Sequence, residues 1–181
     1  MKIGKIYERG KGRMFTPGEH IIYGLNGICR VEHVGNSPYD AADTRTYYLL
    51  IPLAGAPTSS ILTPVDNDRV PMRRLMTPAE IDGLINEIPR IEPLIVPVEK
   101  KRREVYHATV RSLDPRGYVQ VIKTVRQRRA ELTAAHKHFP VTDLEYGQLA
   151  RHLLFSECAH VLGLDEQGAE AYVKDRLPAA E

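Results

Sequence analysis

The hydrophobic period of this chain changes once, at Thr77-Pro78-Ala79-Glu80, and that change decides the order of its parts. From Met14 to about Arg74, apolar residues come in short runs rich in Ile, Val, Tyr and Leu. Gly27, Gly35-Asn36-Ser37-Pro38, Gly55-Ala56-Pro57 and Asp66-Asn67-Asp68 punctuate them. Runs of this kind between turn residues predict strands, here near 19–23, 27–35, 44–52, 58–64 and 70–74. The first two, joined through Gly24-Leu25-Asn26-Gly27, form a hairpin. Five short strands in some sixty residues are too few for a sandwich, so a small, strongly bent barrel is expected.

Beyond the change, the pattern is helical. Thr77 is placed to cap a helix, Pro78 fits its first position and Glu80 can close a capping box. Ile81, Leu84, Ile85 and Ile88 then form one stripe, and Pro89 stops the helix. Pro89, Pro93 and Pro97 predict an extended linker. Four helices follow. Residues 99–112 turn Val105, Tyr106, Thr109, Val110 and Leu113 inward, and residues 115–137 start from the Asp114-Pro115 cap. A long helix opens at Val141 and ends at Gly163, and a last one runs from Asp165 through Leu177. The expected fold class is α+β, with a small barrel (14–76), a helix and Pro-rich linker (77–97) and a compact four-helix domain (98–181). Residues 1–13 are a basic flexible extension, a start-site choice upstream of Met14 or a cloning remnant.

The net charge of +2 hides a segregation. Residues 1–13 carry +4, 14–97 carry −4, 98–138 carry +7 and 139–181 carry −5. A cationic block between acidic ones suits a local polyanion contact, or it is the solvated face of an Arg-rich helix. Lys100, Lys101, Arg102 and Arg103 open a helix, where cations oppose the helix dipole, so helix stability does not explain them. With Arg111, Arg116, Lys123, Arg126, Arg128 and Arg129 they make a candidate nucleic-acid surface that would neutralise phosphates without reading sequence.

No phosphate-binding loop, dinucleotide fingerprint or nucleophile elbow is present, so catalysis has no candidate and no cofactor is expected. His136 and His138, and His152 and His160, do not share compact ligand spacing. Cys29 and Cys158 read as separate buried thiols. No apolar run approaches bilayer-spanning length, and the N-terminus lacks a signal-peptide core, so a cytoplasmic protein is expected.

The residues from Met14 to Val34, followed by Tyr47-Tyr48-Leu49-Leu50-Ile51 and Ile61-Leu62-Thr63-Pro64-Val65-Asp66-Asn67, resemble the CarD/CdnL family of bacterial transcription regulators. The barrel is also similar to the polymerase-interacting module of the transcription-repair coupling factor, and the resemblance implies a stand-alone member. It implies a Tudor-like barrel whose edge strand pairs with a lobe of the RNA polymerase β subunit, here through Ser60, Ile61, Leu62, Thr63 and Pro64. Arg30 and Arg45 are candidates for the rim. By register the family's basic residue in this strand falls at Leu62, so that charged contact is absent. The resemblance also implies promoter DNA as a second partner, touched near the upstream edge of the bubble. The family's wedging tryptophan has no counterpart, because the chain contains none and Arg102 falls at its place. The expected function is a transcription regulator that modulates open-complex stability. The alternative is a protein-interaction adaptor that does not bind DNA.

Overall fold

The computed structural model describes residues 14–37, 39, 42–54, 59–96 and 98–177. The N-terminal extension, the turn at Gly55-Ala56-Pro57 and the first residue of the expected fourth strand lie outside the described residues. The chain divides into two compact units, Met1–Leu75 and Met76–Glu181.

The first unit is an antiparallel sheet of five strands: β1 (His20–Tyr23), β2 (Ile28–Asn36), β3 (Thr46–Pro52), β4 (Ile61–Pro64) and β5 (Met72–Arg74). Their order across the sheet is β4-β3-β2-β1-β5, so β4 and β5 are its two ends. A single 3-10 turn, Gly24–Asn26, joins β1 to β2. It needs glycine at both ends. Gly24 and Gly27 have φ of 51° and 70°, and a Cβ on Gly24 would lie 2.6 Å from Val70 Cγ1. Along β2 the register slips between Val31 and His33, an irregularity that inserts Glu32 and bends the long strand. Ile21, Tyr23, Cys29, Val31, Tyr48 and Leu50 fill the concave side, with Phe15, Val34, Ile61 and Met72 packed around them. Burial pushes the Cys29 thiol up to about 11, which keeps it protonated and unreactive.

The second unit contains five helices: α1 (Pro78–Glu87), α2 (Arg102–Arg111), α3 (Pro115–Ala134), α4 (Val141–Leu162) and α5 (Glu166–Arg176). The capping box forms: Glu80 N–H donates to Thr77 Oγ1 at 3.2 Å and Thr77 N–H donates to Glu80 Oε2 at 2.8 Å. Asp114 and Asp165 cap α3 and α5 by accepting the backbone N–H of Arg116 and of Gly168. Gly163, left-handed at φ 68°, ends α4.

Residues 77–97, expected as a helix and a linker, are part of this unit instead. Ile81, Leu84 and Ile85 of α1 lie in the same core as Tyr106, Tyr118, Leu153 and Leu154, with Ile88, Ile91, Leu94 and Val96 packed against it. Ile88–Arg90 forms a 3-10 turn, the residues after it are extended, and side chains of α3 bond the backbone of this stretch. Lys123 Nζ donates to the carbonyls of Ile88 at 2.5 Å and Ile91 at 2.8 Å, and Leu94 N–H donates to Thr124 Oγ1 at 2.8 Å. The prolines make the segment extended, and the α3 side chains strap it down. The four helices expected after residue 98 are α2 to α5, and α1 shares their core.

Candidate interaction surfaces

Two surfaces answer to the residues singled out in the sequence. The first is β4, which among the described residues pairs with β3 alone. Its register is Ile61 with Leu50, Leu62 with Leu49, Thr63 with Tyr48 and Pro64 with Tyr47. Ile61 and Thr63 therefore share the core side with buried Leu50 and Tyr48, while Leu62 and Pro64 share the outer side with half-buried Leu49 and Tyr47. Just past the strand, Val65 N–H donates to Thr46 O at 3.0 Å. Backbone direction alternates along a strand, so Thr63 and Ile61 also aim their amides at β3. The amide and carbonyl of Leu62 then point away from the sheet. Pro64 has no N–H to offer there, which is why an edge strand tolerates it.

The two rim arginines are both held by neighbours. Arg30 on β2, opposite Ile51, pairs with Glu32 at 2.5 Å. Arg45 donates to Asp43 from Nε at 3.0 Å and from Nη2 at 2.7 Å. Tyr47, the residue opposite Pro64, donates its hydroxyl to the same carboxylate at 2.6 Å. Bonds from Arg45 and then Tyr47 hold the Asp43 carboxyl well below the usual carboxylate range.

The second surface is the cationic block, which falls into two classes. Lys100, Lys101, Arg103, Arg111 and Arg126 are exposed. Arg103, His107 and Arg111 recur at i, i+4 and i+8 on the solvent face of α2, and Arg103 has only a loose contact with Glu145, 3.6 Å away. The others have partners within the fold. Arg116 pairs with Glu87, its Nε donating at 2.7 Å, and Lys123 straps the 88–91 segment as described. Arg129 lies over the Phe139 ring at 4.6 Å.

Arg102 differs most from its expected role. It is only 8% exposed and donates to Glu99 Oε1 at 3.0 Å and Oε2 at 2.9 Å. It also donates to the Tyr106 hydroxyl at 3.2 Å. Tyr106 donates in turn to Asp143 Oδ1 at 2.8 Å, and Asp143 Oδ2 accepts from Arg128 Nε at 2.7 Å. Arg128 Nη2 closes the circuit on Glu99 at 2.6 Å. The cation at the start of α2 is thus explained by Glu99 one turn before it, whose carboxyl Arg102 holds below its ordinary value. Arg102 is buried, and the half-buried Arg116 and Lys123 each already have acceptors within the fold that a polyanion would have to displace.

The CarD-like/TRCF RID domain family matches residues 15–76, a span that includes all five strands and the free β4 edge. The first unit is a CarD-like/TRCF RID domain. No curated protein matches the chain. The RID domain is a Tudor-like barrel, and the fold as a whole is α+β. Its family interacts with the RNA polymerase β subunit as a non-enzymatic protein-interaction domain. The RID domain accordingly gives this chain an RNA-polymerase-interacting role in transcription. Among the described residues, no group of three or more His, Cys, Asp or Glu side chains could hold a metal ion, and no helix is long and apolar enough to cross a membrane.

Sequence reasoning missed Glu99, Asp143 and Glu157. Asp143 and Glu157 are fully buried, and Glu157 accepts the Met76 N–H at 2.8 Å where the chain enters the helical unit. The Tyr106 hydroxyl carries a pH prediction. Burial pushes it up to about 12, with Arg102 opposing and Asp143 adding to the rise. A folded value above the ordinary 10 means its stabilisation is complete below about pH 10 and is lost as pH rises toward 12. Thermal melting of wild type is expected to steepen in its pH dependence across that window. A Tyr106→Phe variant, lower in stability at neutral pH, should lack that share of the loss. Equal alkaline slopes in the two proteins would remove Tyr106 as the cause.

Proposed function

We propose that this chain is a bacterial, cytoplasmic transcription regulator in two parts. The RID domain docks its β4 edge on the RNA polymerase β subunit, and the helical unit lays Lys100, Lys101, Arg103, Arg111 and Arg126 on promoter DNA near the upstream edge of the bubble. The observation that carries the reading is the β4 edge, unpaired among the described residues, in a domain of this family: main-chain groups there supply affinity by strand addition, and flanking side chains choose the partner. Docking would hold a weak, sequence-independent DNA contact at high local concentration. If the helical unit favours the open over the closed promoter, the docked protein shifts that equilibrium by its difference in affinity.

The test is titration of the full chain against duplex and forked promoter DNA over a salt series, with and without polymerase. The Lys100→Ala/Lys101→Ala/Arg103→Ala variant should weaken DNA binding by roughly ten- to a hundredfold and lower the salt slope by about 2–3. Arg102→Lys should leave the slope unchanged. An unchanged affinity in the triple variant would sink the DNA half.

A second reading has its own support. Arg102, Arg116 and Lys123 are committed to internal partners, so the usable cationic surface is smaller than the sequence count. An adaptor that recruits another protein to polymerase needs only that. Polymerase binding without salt-dependent DNA binding would favour the adaptor.

A further inference from the structure

We infer that the surface beside the β4 edge selects its partner by apolar contact through Leu62 and Leu49, and that it takes a β-strand whose residue alongside Leu62 is branched or aromatic and not a carboxylate. This rests on the polymerase-docking reading above and concerns which side chains that contact uses.

The outer face next to the edge is built in rows. Leu62 lies across from Leu49 and Pro64 across from Tyr47, with Ile51 on the same side of β3 two residues from Leu49. All five are only half-buried, so they form an apolar strip that stops at the edge of the sheet. A strand added there would place one residue directly beside Leu62, with its side chain on that strip. An apolar side chain extends the row and removes more apolar surface from water.

Charge argues in the same direction. The rim cations near this strip are Arg30 and Arg45. Arg30 is already paired with Glu32 at 2.5 Å. Arg45 has two of its nitrogens on Asp43 at 3.0 and 2.7 Å, and its guanidinium lies 5.4 Å from the centre of the Tyr47 ring. An incoming carboxylate would therefore meet a neutralised cation beside a fixed anion on both flanks. It would be desolvated against leucine with little Coulomb return.

The experiment uses the full chain and the purified β-subunit lobe of RNA polymerase, with wild type, Leu62→Met, Leu62→Lys and Leu62→Glu. Leu62→Met should bind as wild type. Leu62→Lys and Leu62→Glu should each weaken binding by about tenfold. The wild-type affinity should change by less than about threefold between roughly 50 and 300 mM salt. Because Leu62 faces away from the barrel core, all three variants should fold, and the wild-type salt series needs no variant. Tighter binding by Leu62→Lys, or a steep wild-type salt dependence, overturns the apolar pairing while leaving the docking reading intact. No binding by wild type overturns both.

Discussion

Replacing Arg128 with methionine is expected to destabilise the helical unit by about 3–5 kcal/mol. The reason is not the lost ion pair itself but what remains behind. Asp143 has no exposed surface, and its only other hydrogen-bond donor in the circuit is the Tyr106 hydroxyl at 2.8 Å. Without Arg128 Nε, the carboxylate stays buried with one neutral donor. Glu99 loses the same arginine at little cost, because its side chain is 59% exposed and still holds Arg102. Methionine keeps the length and apolar stem of arginine, so packing loss is small beside the charge effect. A double-mutant cycle separates the two. Asp143→Asn removes the charge while its amide oxygen still accepts from Tyr106. The double variant should then regain part of the loss, with an interaction energy of about 1–3 kcal/mol. Denaturant unfolding followed by helix ellipticity measures it. An Arg128→Met variant within about 0.5 kcal/mol of wild type would show that the circuit is not a determinant of stability.

That circuit also marks where the sequence stops being readable. Local signals survived folding nearly unchanged. Thr77-Pro78 and Asp114-Pro115 begin helices, Gly24 and Gly27 turn the first hairpin, and Ile61-Leu62-Thr63-Pro64 is a strand. Each depends on residues within one turn of each other, so spacing alone reports it. The fate of a charge depends instead on partners far along the chain. Tyr106 and Asp143 are 37 residues apart, Arg116 and Glu87 are 29 apart, and Lys123 and Ile88 are 35 apart. A run of cations therefore looks uniform in sequence, yet it divides in the fold into fasteners and exposed groups. One signal was available for Lys123: an extended, proline-rich segment leaves carbonyls that must find donors, and a facing helix supplies them. The β4 edge was expected from the family resemblance and not from strand spacing, since consecutive hairpins would have covered it with β5, which pairs with β1 instead. Which of its amides point outward needed the register.

That register makes the proline test of the docking edge a sharp one. Thr63 and Ile61 send their amides into the β3 ladder, as the Val65 bond to Thr46 at 3.0 Å fixes by alternation. Leu62 sends its amide outward, so Leu62→Pro removes a docking donor and puts a ring in the path of an added strand, while the barrel keeps its own ladder. Binding to the β-subunit lobe is expected to fall by roughly a hundredfold or more, with the melting curve of the RID domain close to wild type. Ile61→Pro lies one residue away and differs in kind. It deletes the amide facing Leu50 and disturbs a side chain packed on the barrel core, so it should lose binding by unfolding the strand. Amide exchange reports the same geometry without substitution. In the free protein the Ile61 and Thr63 amides should be protected and that of Leu62 should exchange fast, and only Leu62 should gain protection on the complex. A Leu62→Pro variant that binds as tightly as wild type would mean that the partner meets a different face of the barrel, and strand addition at β4 would be discarded.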